Sequence, residues 1–404
     1  MASRICMVVH AYYPVGEPRV QREAEASVDR EYEVDVLCLR RPGEPAQERS
    51  NGVAVYRLPV HRHKGKGLVI QLLEYIAFLL LASWKLARLH LRRHYLVVQV
   101  HTPPDFLVFS ACLPKLQGSK VILDIHDVMP EFFAARTGQT LNSLPVRILQ
   151  LQERLSCAFS DHVITVTDLW RETLISRGLP PEKCSVVMNV ADNQIFHPIP
   201  PETVPSHSNG FHLIYHGNIT HRYGLDILIK AFALARKTVP DLKLTIHGHG
   251  DYLPELQQLV SEMGLQTCVH FSTQLLPLHE LPSLILRANA GIVPYRRDIF
   301  TDGILPTKLM EYAALSMPVI AAKTTAIKTY FDENMVEFFE PGNVEELKEC
   351  IVRLYRDRER CQRLARAISR FSQHHSWNQQ RQAYINLINQ LTSEQTNSRD
   401  CEGS

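Results

Sequence analysis

The sequence predicts an α/β protein built from two doubly wound, Rossmann-like parallel-sheet domains. Three observations predict it. The chain has 404 residues, which suits two domains of about 200 residues each at usual domain sizes. Within each half, short apolar runs alternate with helical patterns, the rhythm that builds a parallel sheet. That rhythm stops at a stretch rich in proline and serine, residues 196–210, and then restarts. Such a stretch reads as a linker.

In the first half the strand-like runs fall at 5–10, 34–39, 96–101, 120–125 and 162–166. In the second they fall at 211–216, 243–247, 268–272, 290–294, 318–321 and 336–339, with helical patterns at 225–239, 252–263 and 344–366 between them. Domains are therefore expected at 1–199 and 200–375, with a helix over 376–395 packing back on the first. Two such units facing one another would hold a ligand in the cleft between the carboxyl ends of their strands. Beyond residue 400 the tail has no pattern and is expected to fray.

Composition narrows the function. Hydrophobic residues make up 45%, charged residues 21%, and the net charge is +2, a balance that excludes a dedicated nucleic-acid binder. Nine cysteines without a Cys-x-x-Cys pair argue against a disulfide framework and for a reducing compartment. The N-terminus runs directly into a strand-like segment without the apolar core and cleavage site of a leader. A cytoplasmic location is expected.

Residues 68–84, bounded by Leu68 and Trp84, are apolar except for Gln71, Glu74 and Ser83. The run is shorter than the roughly 20 residues of a spanning helix, and Glu74 lies inside it. Cations flank it, with Arg62, Lys64 and Lys66 before and Lys85, Arg88, Arg92 and Arg93 after. Two readings stand: a buried helix of the first domain, or a helix in peripheral contact with an anionic membrane, on the inner face of the cell membrane.

The segment 302–320 is the most informative in the chain. A Gly-Ile-Leu-Pro loop leads into a helix whose start holds Pro306, Thr307 and Lys308, with Glu311 one turn on. Proline is favoured where the first helical amides are free, and those amides with the helix dipole seat a phosphate. The Glu311 carboxylate has acceptor sites for two neighbouring sugar hydroxyls. The local alternative is an ordinary capped helix before a strand. Gly217, at the end of the first strand of the second unit, lets backbone amides approach phosphate, and Arg222 offers a fork of donors nearby. Gly248 repeats the pattern at the next strand end, where close packing and a close ligand both demand glycine.

These residues resemble a known family. Residues 10–24, 124–132 and 189–198, with the segments just described, make the chain similar to a retaining glycosyltransferase of family four, which has the GT-B fold, over nearly its whole length. The resemblance implies hexosyl transfer from a nucleoside diphosphate sugar to a saccharide or lipid-linked saccharide acceptor, in cell-surface polysaccharide or glycoconjugate synthesis. It implies donor contacts at Gly16, Gly217, Asn218, Arg222, Gly248, Pro306, Thr307, Lys308 and Glu311, with the ribose on Glu311. His126, with Asp127, would face the reacting sugar; the local alternative is that this pair caps the following turn. The chain departs from the family at Gly303, where many members have a first glutamate, and Asp302 is the adjacent substitute. It departs again at Asn218 and Tyr223, where many have arginine and lysine, leaving Arg222 as the nearby cation.

Retaining transfer needs stabilisation of the departing diphosphate, which fixed cations and helix-start amides supply. The sequence has no Asp-x-Asp and no histidines at metal-ligand spacing, so no metal and no other cofactor is expected. The rival readings are a nucleotide-sugar epimerase or hydrolase, and a catalytically inactive partner protein that keeps the fold.

Overall fold

The computed structural model describes residues 3–62, 67–198 and 210–402. The basic stretch 63–66, linker residues 199–209 and the last two residues of the tail lie outside the described residues. The chain divides into two compact units, one of Met1–Met188 with Gln380–Ser404 and one of Asn189–Gln379.

The first unit holds an eight-stranded sheet. Its strands are β1 (Arg4–Tyr12), β2 (Glu33–Leu39), β3 (Gln47–Ser50), β4 (Val53–Leu58), β5 (Val97–His101), β6 (Lys120–Ile125), β7 (His162–Thr165) and β8 (Cys184–Val186). Their spatial order is β3-β4-β2-β1-β5-β6-β7-β8. All neighbours are parallel except β3, which pairs antiparallel with β4 at the edge. Sequence patterning misses β3, β4 and β8. Gln47–Ser50 contains no apolar side chain and Cys184–Val186 is three residues long, so neither carries a period to read. Ile5, Cys6, Met7 and Val8 of β1 are fully buried, as expected of a strand covered on both faces.

The second unit holds six parallel strands: β9 (His212–His216), β10 (Lys243–His247), β11 (Val269–Ser272), β12 (Ala290–Val293), β13 (Val319–Ala322) and β14 (Glu337–Phe339). They are ordered β11-β10-β9-β12-β13-β14. Each matches an expected run to within a residue or so. The single helical pattern at 344–366 resolves into two helices, Val344–Arg356 and Arg358–His374. Asp357 separates them and caps the second by accepting from the Arg360 amide, satisfying one of its free donors.

The run at 68–84 is longer than its apolar core suggested. The helix spans Leu68–Arg93 and ends on His94 in the left-handed conformation. By length and composition it is able to cross a membrane. One stripe of it, Glu74, Tyr75, Phe78, Ala82, Leu86 and His90, is buried against the unit. Glu74 thus lies on the packed side, and the expected choice between a buried and an exposed helix resolves into one face of each kind. The helix Trp377–Glu402 also joins this unit, with Tyr384 donating to Gln99 Oε1 at 2.8 Å and Arg381 pairing with Asp29 at 2.7 Å.

Candidate active site

In the second unit the strand order reverses between β9 and β12. The chain runs from β9 through β10 to β11 on one side, then from β12 through β13 to β14 on the other. Loops leaving neighbouring strands in opposite directions open a crevice at their carboxyl ends, the usual ligand seat of such sheets. Lys308 stands at this point. It is only 6% exposed, and its Nζ donates to the Tyr295 hydroxyl at 2.9 Å. The ammonium lies 4.9, 5.0 and 4.9 Å from the ring centres of Tyr215, Tyr223 and Tyr295, an aromatic cage that attracts a cation electrostatically. Among the described residues it pairs with no carboxylate. Burial pulls the Lys308 ammonium down to about 8, against a small opposing pull from Glu311.

Gly217 turns the chain beside this ammonium with φ +118, and a Cβ there would meet Lys308 Cε at 3.1 Å. A side chain at this position would therefore both strain the backbone and crowd the cation. Glu311, one helical turn after Lys308, keeps 16% of its side chain exposed and has a carboxylate oxygen 3.2 Å from His216 Nε2. That contact lacks hydrogen-bond geometry, so His216 Nε2 is buried without a partner. Burial, then Lys308 and His247, hold the His216 imidazole well below its usual range, and it is neutral at physiological pH.

The other expected donor contacts fall into three groups. Pro306 occupies the cap position, not the first turn, of the helix Thr307–Ala314; Thr307, exposed, and Lys308 provide its first amides, which have no intrahelical acceptor. Asn218 projects its side chain into solvent while its carbonyl accepts from Tyr215 at 2.5 Å, so its backbone is the part built into the site. Gly248 is explained by packing: a Cβ there would lie 1.9 Å from the Gly217 carbonyl oxygen. Arg222 is half-buried on a turn, its guanidinium 5.5 Å over the Phe300 ring. Asp302 accepts from the Thr325 amide at 2.9 Å, from the Thr325 hydroxyl at 2.6 Å and from Arg297 at 3.2 Å, a structural role at the start of the next helix.

In the first unit the reversal lies between β1 and β5, and a second polar group gathers at these strand ends. His126 follows β6, with its Nε2 3.2 Å from Asp124 Oδ2 and its amide donating to Thr102 Oγ1. His101, at the end of β5, shares the same oxygen through Nδ1 at 3.0 Å. Arg19 clamps both Asp124 oxygens at 2.8 and 2.9 Å. Burial alone would raise the Asp124 carboxyl, but Arg19, His126 and His101 outweigh it and hold it well below the carboxylate range. Burial takes His101 down to about 4. For His126 burial is overcome by Asp124, and the imidazole is raised. With Nε2 committed to Asp124, the ring presents Nδ1, which lies 4.0 Å from Glu17.

Asp127 is half-buried in the turn before the helix Met129–Thr137, whose cap residue is Val128 with no side-chain cap bond. Gly16, exposed with φ +116, precedes the helix Pro18–Val28 that carries Arg19. Sequence reasoning did not find Arg19, His101, Asp124, His216 or the tyrosine cage. Nothing in local spacing links Arg19 to Asp124, which are 105 positions apart.

Donor atoms of His101, Asp124 and His126 lie within 4.8 Å of one another, a grouping suited by type to a metal ion. The Arg19 guanidinium already neutralises the shared carboxylate on both oxygens, and a divalent cation beside it would meet like charge in a buried site. These three side chains, with Arg19 on the carboxylate, do not fit a metal.

Known families match both halves of the chain. Residues 16–189 match the family described as glycosyl transferase 4-like domain, and residues 201–371 match glycosyl transferases group 1. This chain belongs to the family-four, group-1 glycosyltransferases, a retaining family with the GT-B fold. Sucrose-phosphate synthase from Thermosynechococcus elongatus superposes with a TM-score of 0.76 at 17% identity, over 97% of this chain and 100% of that one. HepE of Anabaena, solved with UDP-glucose, gives 0.71 at 15% identity over 96% and 99%. The amylovoran biosynthesis glycosyltransferase AmsK of Erwinia amylovora is 23% identical over 200 residues, 49% of this chain and 48% of AmsK. The match thus spans about half of that relative's length.

Proposed function

We propose that this chain moves a hexosyl group from a nucleoside diphosphate sugar to a saccharide or lipid-linked saccharide acceptor, with retention, in the synthesis of a cell-surface polysaccharide or glycoconjugate. The observation that carries the reading is Lys308: a buried ammonium held by aromatic rings, without a carboxylate partner among the described residues, beside Gly217. A buried charge is costly unless paired. A diphosphate is a partner whose charge answers this ammonium, and the free amides at the start of Thr307–Ala314 add donors for it. Glu311 then takes the ribose hydroxyls. HepE binds UDP and UDP-glucose, and AmsK is named for polysaccharide biosynthesis; both support this direction. The eight cysteines from Cys6 to Cys361 are all free, which fits a reducing compartment.

In this reading the bond between the anomeric carbon and the diphosphate breaks, while the acceptor oxygen bonds to the same carbon on the same face. A departing phosphate oxygen takes the acceptor's proton. Lys308, Arg222 and the helix-start amides stabilise the charge that grows on the diphosphate, the largest single contribution available to such a site. His126, whose charged form Asp124 favours, donates to a sugar oxygen through Nδ1, and the Asp124 contact to Nε2 fixes the orientation of its ring. No metal enters this scheme.

A thermal-shift panel of UDP-, GDP- and ADP-sugars tests the donor, since a ligand that binds only the folded state raises the melting point. The anomeric configuration of the product tests retention. Donor turnover at full rate without any acceptor would instead assign a hydrolase or epimerase. One observation favours the inactive-partner reading: Gly303 has no carboxylate and Asp302 spends its oxygens on Thr325 and Arg297. A protein that binds no sugar nucleotide would establish that reading.

A further inference from the structure

We infer that the first unit docks on an anionic bilayer through one face built jointly by the helices Leu68–Arg93 and Leu144–Phe159. The inference is independent of the transfer chemistry. On the first helix Val69, Leu73, Ile76, Leu80 and Trp84 are exposed by 72, 61, 41, 65 and 59%. On the second, Leu144, Ile148, Leu151 and Leu155 are exposed by 73, 58, 55 and 54%. Both sets follow steps of three and four residues, so each forms a continuous apolar stripe along its helix. Stripes of this extent on a soluble surface mark an interaction face.

Topology puts the two stripes on the same side of the sheet. The connections from β4 to β5 and from β6 to β7 run in one direction across it, and right-handed crossovers place their helices on a common face. Both helices also pack on the same short 3-10 helix, Asp105–Ala111. Arg136 on the intervening helix Met129–Thr137 reaches Gln71 at 3.5 Å.

Charge commits this face to an anionic lipid surface. Each helix has a single carboxylate, Glu74 and Glu153, and both are turned inward, 8% and 1% exposed. Glu153 is held there by Arg177 at 3.0 and 3.1 Å. The outward cations are Arg88, which lies over the Trp84 ring at 5.6 Å, with Arg92, Arg147 and Arg154. A face of apolar stripes with exposed arginines and no exposed acid on either helix matches the acyl boundary and headgroups of an anionic bilayer. The Leu68–Arg93 helix lies flat on this surface because its opposite stripe is packed into the unit.

The test is co-sedimentation of the full chain with phosphatidylglycerol vesicles and with phosphatidylcholine vesicles. Wild type should pellet with the first and stay largely soluble with the second. Leu151→Gln with Leu155→Gln, and separately Leu73→Gln with Leu80→Gln, should each weaken pelleting about tenfold or more, and Arg147→Gln with Arg154→Gln about tenfold. All six side chains are exposed, so an unchanged melting temperature is expected and checks that the variants fold. Equal pelleting of the Leu151/Leu155 variant and wild type would overturn the joint face. So would a wild type that stays soluble with both vesicles, or a lipid-free dimer by light scattering that these same leucine changes dissociate, which would make a second copy the occupant.

Discussion

The two polar clusters of this protein, one in each unit, are built on opposite electrostatic plans. Around His126 every charge is answered inside the protein: Asp124 meets Arg19 on both oxygens and two imidazoles on one. Around Lys308 the charge is left open, caged by three tyrosines and bonded to one neutral hydroxyl. A closed network fixes the orientation of its exposed member, here Nδ1 of His126. An open one keeps its cation available to a ligand. The proposed roles, positioning in one unit and binding in the other, match that difference.

Removing one charge from each cluster separates the two plans. Asp124→Asn takes from the buried Arg19 guanidinium its two-oxygen carboxylate partner and leaves it Glu23 at 3.3 Å, and a loss of about 3 kcal/mol is expected in urea unfolding. Lys308→Met removes a burial penalty of roughly 3 kcal/mol and loses the Tyr295 hydrogen bond and the ring contacts that partly offset it, so stability should rise by on the order of 1 kcal/mol while nucleotide affinity falls about 10- to 100-fold. If Lys308→Met destabilised the protein as Asp124→Asn does, the two plans would not differ.

Titration separates them next. His101 is held neutral with its value lowered from 6.5 to about 4, so it contributes stability above its ordinary value that is lost as pH falls through about 4, roughly 3 kcal/mol in all. Asp124 adds loss of the same sign in acid, whereas the raised His126 favours folding at low pH and loses that contribution as pH rises. Lys308, lowered from 10.5 to about 8, is a penalty fully present below 8 and relieved as pH rises towards 10.5. Stability followed by chemical unfolding across pH should show the acid loss, and Lys308→Met should abolish the alkaline gain. A smaller effect belongs to Glu311→Gln, expected to weaken nucleotide binding about tenfold by calorimetry with little change in stability. The least is expected of Asp302→Asn, about 1 kcal/mol of stability from a weakened helix cap and unchanged nucleotide affinity.

Much of this architecture was legible in the sequence because parallel strands buried on both faces read as plain apolar runs. Eleven strands, β1, β2, β5, β6, β7 and β9 to β14, announce themselves as such runs, and β3, with Gln47, Glu48, Arg49 and Ser50, does not. Glu311, Lys308 and Gly217 were legible because a glycine turn and a helix start are local patterns. What Gly248 does was not, since its reason is the carbonyl of Gly217 arriving from a different strand. Nor was the role of Asp302, whose partner Thr325 is 23 positions on. The closed cluster was hidden for the same reason. Arg19, His101 and Asp124 come from three separate elements, and only the strand order brings them together.

Titration of the full chain with a nucleoside diphosphate across pH, for wild type and Lys308→Met, tests the central assignment most directly. The wild-type affinity should fall as pH rises above about 8, and the variant should bind weakly with no such dependence. A variant that binds as tightly as wild type, with the same pH profile, would contradict the placement of the diphosphate at Lys308.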